Sequence, residues 1–207
     1  VISGLLGGLY SSTATITILS RKCKHASEEH LKEYLTAMFL AVGMMFLRLL
    51  VIIAIFNASI LSRVALPMVI LMLASCSIGL FIRRGNRGNR DVPRTEEEEV
   101  QDNPLEFKVA LIFALLYIVF TVATYFMLQW VGTSGLTVLS VLSGAGDITP
   151  FILNLLDGQG GTIPMNLLAA SCLLATLSNN IMKTFYALFF SGNRKELARP
   201  LFAGVGI

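Results

Sequence analysis

Residues 34–61 read YLTAMFLAVGMMFLRLLVIIAIFNASIL, a run of 28 positions whose one charge is Arg48. A helix needs about 20 apolar residues to cross the hydrocarbon of a bilayer. Tyr34–Leu61 is therefore predicted to be a membrane span, and the rest of the chain is read outward from it. Upstream lie a polar loop, Arg21–Glu33, and a first span, Val1–Ser20, rich in glycine and hydroxyls. Downstream come a third span at Val64–Ile82, a polar linker at Arg83–Pro104 and a fourth span at Phe107–Val131. A fifth, Leu136–Leu156, is interrupted by Gly144-Ala145-Gly146-Asp147. A sixth, Pro164–Phe190, carries Asn179, Asn180 and Lys183, and Leu197–Ile207 begins a seventh. Both ends of the chain lie in apolar runs, which reads as a piece of a longer membrane protein with no signal peptide at Val1.

Composition supports this reading. Of 207 residues, 55% are hydrophobic and 14% charged, with a mean hydropathy of +0.72. A soluble domain has roughly 45–50% and about 25%. So few charges cannot cover a water-facing surface, which excludes a soluble enzyme, a nucleic-acid-binding module and a disordered tail. The expected fold is all-α: a polytopic helical membrane bundle of about seven or eight spans, with the lipid bilayer as its first partner. Cys23, Cys76 and Cys172 are scattered and form no disulfide framework. The linker runs from Arg83, Arg84, Arg87, Arg90 and Arg94 to Glu96–Glu99. It reads as a solvated cytoplasmic loop whose arginines fix topology, or as a contact to anionic lipid. If every span crosses once, Arg21, Lys22, Lys24, Lys32 and those arginines share a side, while Arg63, Arg194, Lys195 and Arg199 lie opposite. The richer side is cytoplasmic by the positive-inside rule, and the first span runs from outside to inside.

The two unusual spans resemble each other. A shift of 136 places Leu6, Gly8, Thr13, Ile16 and Leu19 on Leu142, Gly144, Thr149, Ile152 and Leu155, and Ser11 on Asp147. A shift of 135 places Arg48 on Lys183, and one of 133 places Pro67 on Pro200. The shared order predicts two related halves, residues 1–82 and 132–207, separated by the linker 83–104 and a span within 105–131. The halves are parallel if every span crosses and inverted if one broken segment is re-entrant. Interrupted helices at matching places in two halves are a sequence pointer to a binding site.

The candidate site follows from the breaks. The glycines before Asp147 permit a bend, and Asp147 can cap a new half-helix with Pro150 in its first turn. Freed backbone groups plus a carboxylate could hold a cation or a proton. Alternatively, Asp147 pairs with Arg48 or Lys183 and locks helices together, since an unpaired buried charge is costly. Ser11, Ser12 and Thr13, with Thr15, are the first-half counterpart; their hydroxyls could ligate a solute or simply bond neighbouring helices. Gly4 and Gly8 form a small-xxx-small packing pair. Thr149 joins the Asp147 break, and Thr176, Asn180 and Lys183 share a helical face, with Asn179 beside it. Arg48 and Lys183 could bind an anionic solute, neutralise Asp147, or snorkel. Cys23, His25 and His30 read as a solvated loop, and Gly158–Gly161 as a turn. No metal site, cofactor motif or catalytic set is legible, so no enzyme is expected.

Gly4-Leu5-Leu6-Gly7-Gly8-Leu9-Tyr10-Ser11-Ser12-Thr13-Ala14 resembles the opening motif of a bacterial membrane family, the domain of unknown function 4010. That opening usually reads closer to Gly-Gly-Leu-Val-Ser-Ser-Thr-Ala, from which Tyr10 departs. Leu142–Thr149 and Asn179…Lys183 resemble the family's second block, so the likeness spans nearly the whole chain. The family is commonly found C-terminal to an MgtC/SapB-type domain. The resemblance therefore implies a bacterial inner (cytoplasmic) membrane location and such a domain, in the same or a neighbouring chain, as partner. A homo-oligomer is a further possible partnership. The expected function is a transporter or channel-like module for an ion or small solute, with its pathway at the two breaks. The alternative is a non-transporting regulatory or assembly module working with the MgtC-type domain.

Overall fold

The structure, a computed structural model, describes residues 2–84, 104–157 and 163–192. Within them the chain is all helical: α1 (Ile2–Cys23), α2 (Glu28–Phe56), α3 (Ala58–Arg84), α4 (Pro104–Trp130), α5 (Thr133–Ser143), α6 (Thr149–Asp157) and α7 (Met165–Phe190). Helices are the expected answer for apolar runs in lipid, where each backbone polar group must be satisfied within its own segment. Four stretches are long and apolar enough to cross a bilayer: His30–Phe56, Ala58–Arg84, Ala110–Trp130 and Met165–Phe190. Their outer faces carry Ile55, Leu66, Ile70, Phe81, Leu111, Ile112, Leu115 and Phe185, all exposed. A continuous apolar exterior of this kind needs lipid to cover it, and the chain is a helical, multi-pass integral membrane protein.

The break between the second and third helices differs from the hydropathy reading. The expected spans Tyr34–Leu61 and Val64–Ile82 meet instead at Asn57. There α2 stops, and the Asn57 side-chain oxygen accepts the Ile60 N–H at 3.2 Å while its carbonyl accepts from Leu61 at 3.3 Å. Capping decides the boundary because an asparagine oxygen can satisfy the free N–H groups of a helix start; hydropathy passes over one polar residue. The loop expected at Arg21–Glu33 is also shorter, since α1 continues to Cys23 and α2 begins at Glu28. Pro67 lies well inside α3. The linker 85–103, the Gly158–Gly161 turn and the span from Leu197, with Arg194, Lys195, Arg199 and Pro200, lie outside the described residues. Gly4 and Gly8 fall within α1.

Helices α2 and α3 form an antiparallel hairpin. Thr36 Oγ1 donates to the Gly79 carbonyl at 3.1 Å, and a Cβ on Gly43 would lie 2.6 Å from Cys76 Sγ. Helix α1 packs on α2, and α7 packs on α1, α3 and α5. The direction of α7 is set by its ends. Arg63, near the start of α3, donates to Asn166, near the start of α7. Arg21, near the end of α1, lies 4.8 Å over the ring of Phe190, at the end of α7. Helices α1, α3 and α7 therefore run the same way, and α2 runs against them.

One large core joins Phe46, Leu49 and Ile53 of α2, Ile60 and Val64 of α3, Leu136 of α5, Phe151, Ile152 and Leu155 of α6, and Leu168 and Cys172 of α7. A smaller one joins Ile16 and Leu19 of α1 to Leu35, Met38 and Phe39 of α2 and Ala187 of α7.

Candidate functional site

Two helix interruptions build the site. In α1 the backbone leaves helical geometry at Ser11 (φ −154°, ψ 101°), so residues 2–10 and 12–23 are two helical segments joined there. The hydroxyl of Ser11 accepts the Ala14 N–H at 3.3 Å and Thr15 Oγ1 donates back to the Ser11 carbonyl at 3.0 Å, which is the capping chemistry of a fresh helix start. The second interruption separates α5 from α6 over residues 144–148. Asp147 Oδ1 accepts the Thr149 N–H at 2.9 Å, and Pro150 occupies the second position of α6, where a missing N–H costs nothing.

The carbonyls released at the second break are satisfied by α7. Asn179 Nδ2 donates to the Gly144 carbonyl at 3.0 Å and to the Gly146 carbonyl at 2.9 Å. Tyr186 Oη donates to the Ala145 carbonyl at 2.7 Å, and Ser178 Oγ to the Val141 carbonyl at 2.7 Å. This requires close approach. A Cβ on Gly144 would collide with the Ser178 side chain and lie 2.7 Å from the Asn179 nitrogen, whereas one on Gly146 would meet nothing within 4 Å.

The two breaks meet although 136 positions separate Ser11 from Asp147. Ser11, Ser12 and Thr13 of α1, Met45 and Arg48 of α2, Gly146, Asp147 and Ile148 of the second break, and Asn179 of α7 enclose a cavity of about 10 Å³. That is room for about one water. Through Ser11, Thr13, Gly146 and Asp147 it opens onto a groove of about 430 Å³ that follows Thr17, Ile18 and Arg21 along α1.

Arg48 spans the cavity. Its guanidinium donates to Thr149 Oγ1 at 2.8 Å and pairs with Asp147 Oδ1 at 3.4 Å. Of the two cations weighed as partners for Asp147, Arg48 makes the contact. Lys183 is 3% exposed, and its Nζ donates to the sulfur of Met45, a wall residue.

Of the residues singled out from sequence, Ser11, Ser12, Thr13, Arg48, Asp147 and Asn179 thus line one cavity. Thr149 holds Arg48 beside it, and Lys183 sits behind Met45. Asn180 does not line it. Thr176 is buried but spends its hydroxyl on the Cys172 carbonyl. His30 pairs with Ser27 at 2.8 Å, and no metal-holding cluster of His, Cys, Asp or Glu occurs among the described residues. Met45, Ser178 and Tyr186 escaped the sequence reading. The spacing Asn179, Lys183, Tyr186 marks one helical face and was available as a signal; Met45 carried none.

The chain is 28% identical over 203 residues to an uncharacterized protein of Aquifex aeolicus (strain VF5), covering 95% of this chain and 84% of that one. No solved structure matches. A family model matches residues 1–191, and the chain belongs to that family, the domain of unknown function 4010.

Proposed function

We propose that the chain is a transporter or channel-like module for an ion or small solute, with its pathway at the two helix breaks. The observation that carries this reading is the convergence of Ser11–Thr13, Arg48, Asp147 and Asn179 on one cavity at mid-helix depth. Polar groups inside a membrane protein are costly, and they mark solute or ion pathways more often than lipid-facing surface. The groove along Thr13, Thr17 and Arg21 is the route from the cavity toward the shared end of α1 and α7.

The mechanism we infer places the solute between the two interrupted segments. Helix α5 lies parallel to α7, since Val141 meets Ser178 and Gly144 meets Asn179. With 11 and 9 residues, α5 and α6 are about 16 and 14 Å long, each about half the hydrocarbon thickness. Pro164 follows Asp157 by seven residues, which reach at most about 23 Å. A fully crossing α5–α6 would make α7 antiparallel to α3, opposite to the Arg63–Asn166 and Arg21–Phe190 contacts. The α5–α6 pair therefore does not fully cross, and Asp157, hydrogen-bonded to Tyr117 in the middle of α4, ends it within the membrane. The sequence shifts align Ser11 with Asp147 and Arg48 on α2 with Lys183 on α7. Helices α2 and α7 run oppositely, while α1 and α5, which the shift also aligns, run the same way, so the matched segments are not related by one inversion. Movement of one interrupted segment against the other about a midplane site gives alternating access. The bacterial inner membrane, with Arg21 and Lys24 on its cytoplasmic side, and an MgtC/SapB-type domain as partner complete the reading.

The test replaces the three cysteines, introduces Asp147→Cys and labels native membranes with a charged methanethiosulfonate. Labelling at the rate of a loop control supports a water-filled pathway and justifies a flux screen. A rate as slow as that of a lipid-facing control sinks it. The second reading, a regulatory or assembly module, draws on the Arg48–Asp147–Thr149 cluster as a lock between α2 and the second break.

A further inference from the structure

We infer that the cavity at the two breaks takes a small oxyanion that itself carries a hydroxyl, of the hydrogencarbonate or dihydrogen phosphate class. The inference rests on the pathway reading above and adds the sign and chemistry of the solute.

A cation site at a helix break is built from released carbonyls. At the second break those oxygens are already used. The Val141, Gly144, Ala145 and Gly146 carbonyls all accept from Ser178, Asn179 or Tyr186. The groups left facing the cavity are of the opposite polarity. Residues 12–23 and α6 both begin there, and a helix start carries partial positive charge. Arg48 lies in the wall, and Lys183 stands behind Met45 with a thioether sulfur as its hydrogen-bond partner among the described residues. A thioether is a weak acceptor for an ammonium that can donate three bonds. Asp147 is the one acid among the lining residues, so Arg48 and two helix starts face one carboxylate, with Lys183 behind Met45.

A second observation points to the ligand itself. Asn179 is 2% exposed and its Oδ1 has no hydrogen-bond partner among the described residues. The amide cannot be turned round, because its nitrogen is committed to the Gly144 and Gly146 carbonyls. The cavity therefore presents, beside the Asp147 carboxylate, an orphaned amide acceptor among donors. Halide and nitrate answer the donors and leave Asn179 unpaired; a protonated oxyanion answers both. Asn179 stands about 21 Å from the start and about 16 Å from the end of α7 at helical rise, beyond reach of a lipid headgroup, so the anion is a free one. Entry requires the Arg48–Asp147 contact to open, since the cavity holds about one water. Arg21, at the far end of the groove, supplies the attracting charge.

The experiment uses the full chain in lipid nanodiscs. Thermal stability is titrated with sodium hydrogencarbonate, phosphate, nitrate and chloride at fixed ionic strength, and with potassium and magnesium chloride. Hydrogencarbonate or phosphate should saturate at concentrations about tenfold below nitrate, the step expected of one extra hydrogen bond to an ionised ligand. Arg48→Gln and Lys183→Met should each weaken binding about tenfold, with Arg48→Lys closer to wild type. Asp147→Asn, which removes the competing carboxylate, should tighten it; this gain cannot come from misfolding. Stabilisation that follows the cation, equal response to nitrate, or anion binding indifferent to all four variants overturns the inference. Flux of the same labelled anion into liposomes separates the two readings. Anion binding without flux removes transport and leaves the site; cation flux without anion binding does the reverse.

Discussion

At the scale of single residues, Gly144 and Gly146 make a matched pair of tests. Both sit in the break before Asp147, but a Cβ at 144 runs into Ser178 and one at 146 meets open space. Gly144→Ala should push α5 off α7 and lower the thermal midpoint in detergent by several degrees, while Gly146→Ala should leave it unchanged. Equal effects would show that backbone conformation, not close approach, selects glycine here. Asn179 is the residue that closes the break. Asn179→Ala strips two carbonyls of their donor, each worth about 1–3 kcal/mol when buried and unsatisfied. A clear loss of stability is expected, and an unperturbed unfolding curve would mean that water replaces the amide. Asp147→Asn preserves an oxygen for the Thr149 N–H but loses the charge that meets Arg48. The fold should survive while solute passage changes. Unchanged flux in this variant, once a substrate is in hand, rules Asp147 out of the pathway.

At the scale of elements, helix identity was legible wherever hydropathy alone decides it. The runs that became α2, α3, α4 and α7 stand out because a span must be apolar along its length. Boundaries were less legible. Asn57 divides α2 from α3 by capping, inside a stretch that hydropathy reads as continuous. The break in α5–α6 was visible in Gly144–Asp147, but its geometry was not, because glycine permits many bends and selects none. The α5–α6 pair makes a topological prediction. In a cysteine-free background, Thr133→Cys should react with a membrane-impermeant maleimide added from the outer face, and Asp157→Cys, held at Tyr117, should react slowly from both faces. If α5–α6 crosses the bilayer, Asp157→Cys reacts only from the inner face.

At the scale of the whole molecule, the arrangement places one polar cluster inside a largely apolar body. Arg48, Asp147, Asn179 and Lys183 come from α2, the second break and α7, and the cluster lies where two interrupted segments abut. A site between two interrupted segments is open to each face in turn when one segment moves against the other. Exchange of access predicts that labelling of Asp147→Cys from the cytoplasmic and outer faces responds oppositely to a substrate anion, phosphate being the probe. Parallel responses from both faces would argue for a continuous channel.

The sequence by itself determined that this is a helical membrane protein, which four runs are long and apolar enough to cross the bilayer, and where two segments break. These follow from composition, length and glycine placement, which are properties of the chain read in order. It also nominated Ser11, Arg48, Asp147 and Lys183, because a polar residue in an apolar run has few places to go. Only the tertiary structure decided that Arg48 rather than Lys183 meets Asp147, that Asn179 caps the Gly144 and Gly146 carbonyls, and that Met45 stands between Lys183 and the cavity. It likewise decided that α7 runs with α1 and α3. The physical reason is that pairing and direction depend on which helix faces meet. Meeting is set by packing between residues more than a hundred positions apart, and no local pattern records it.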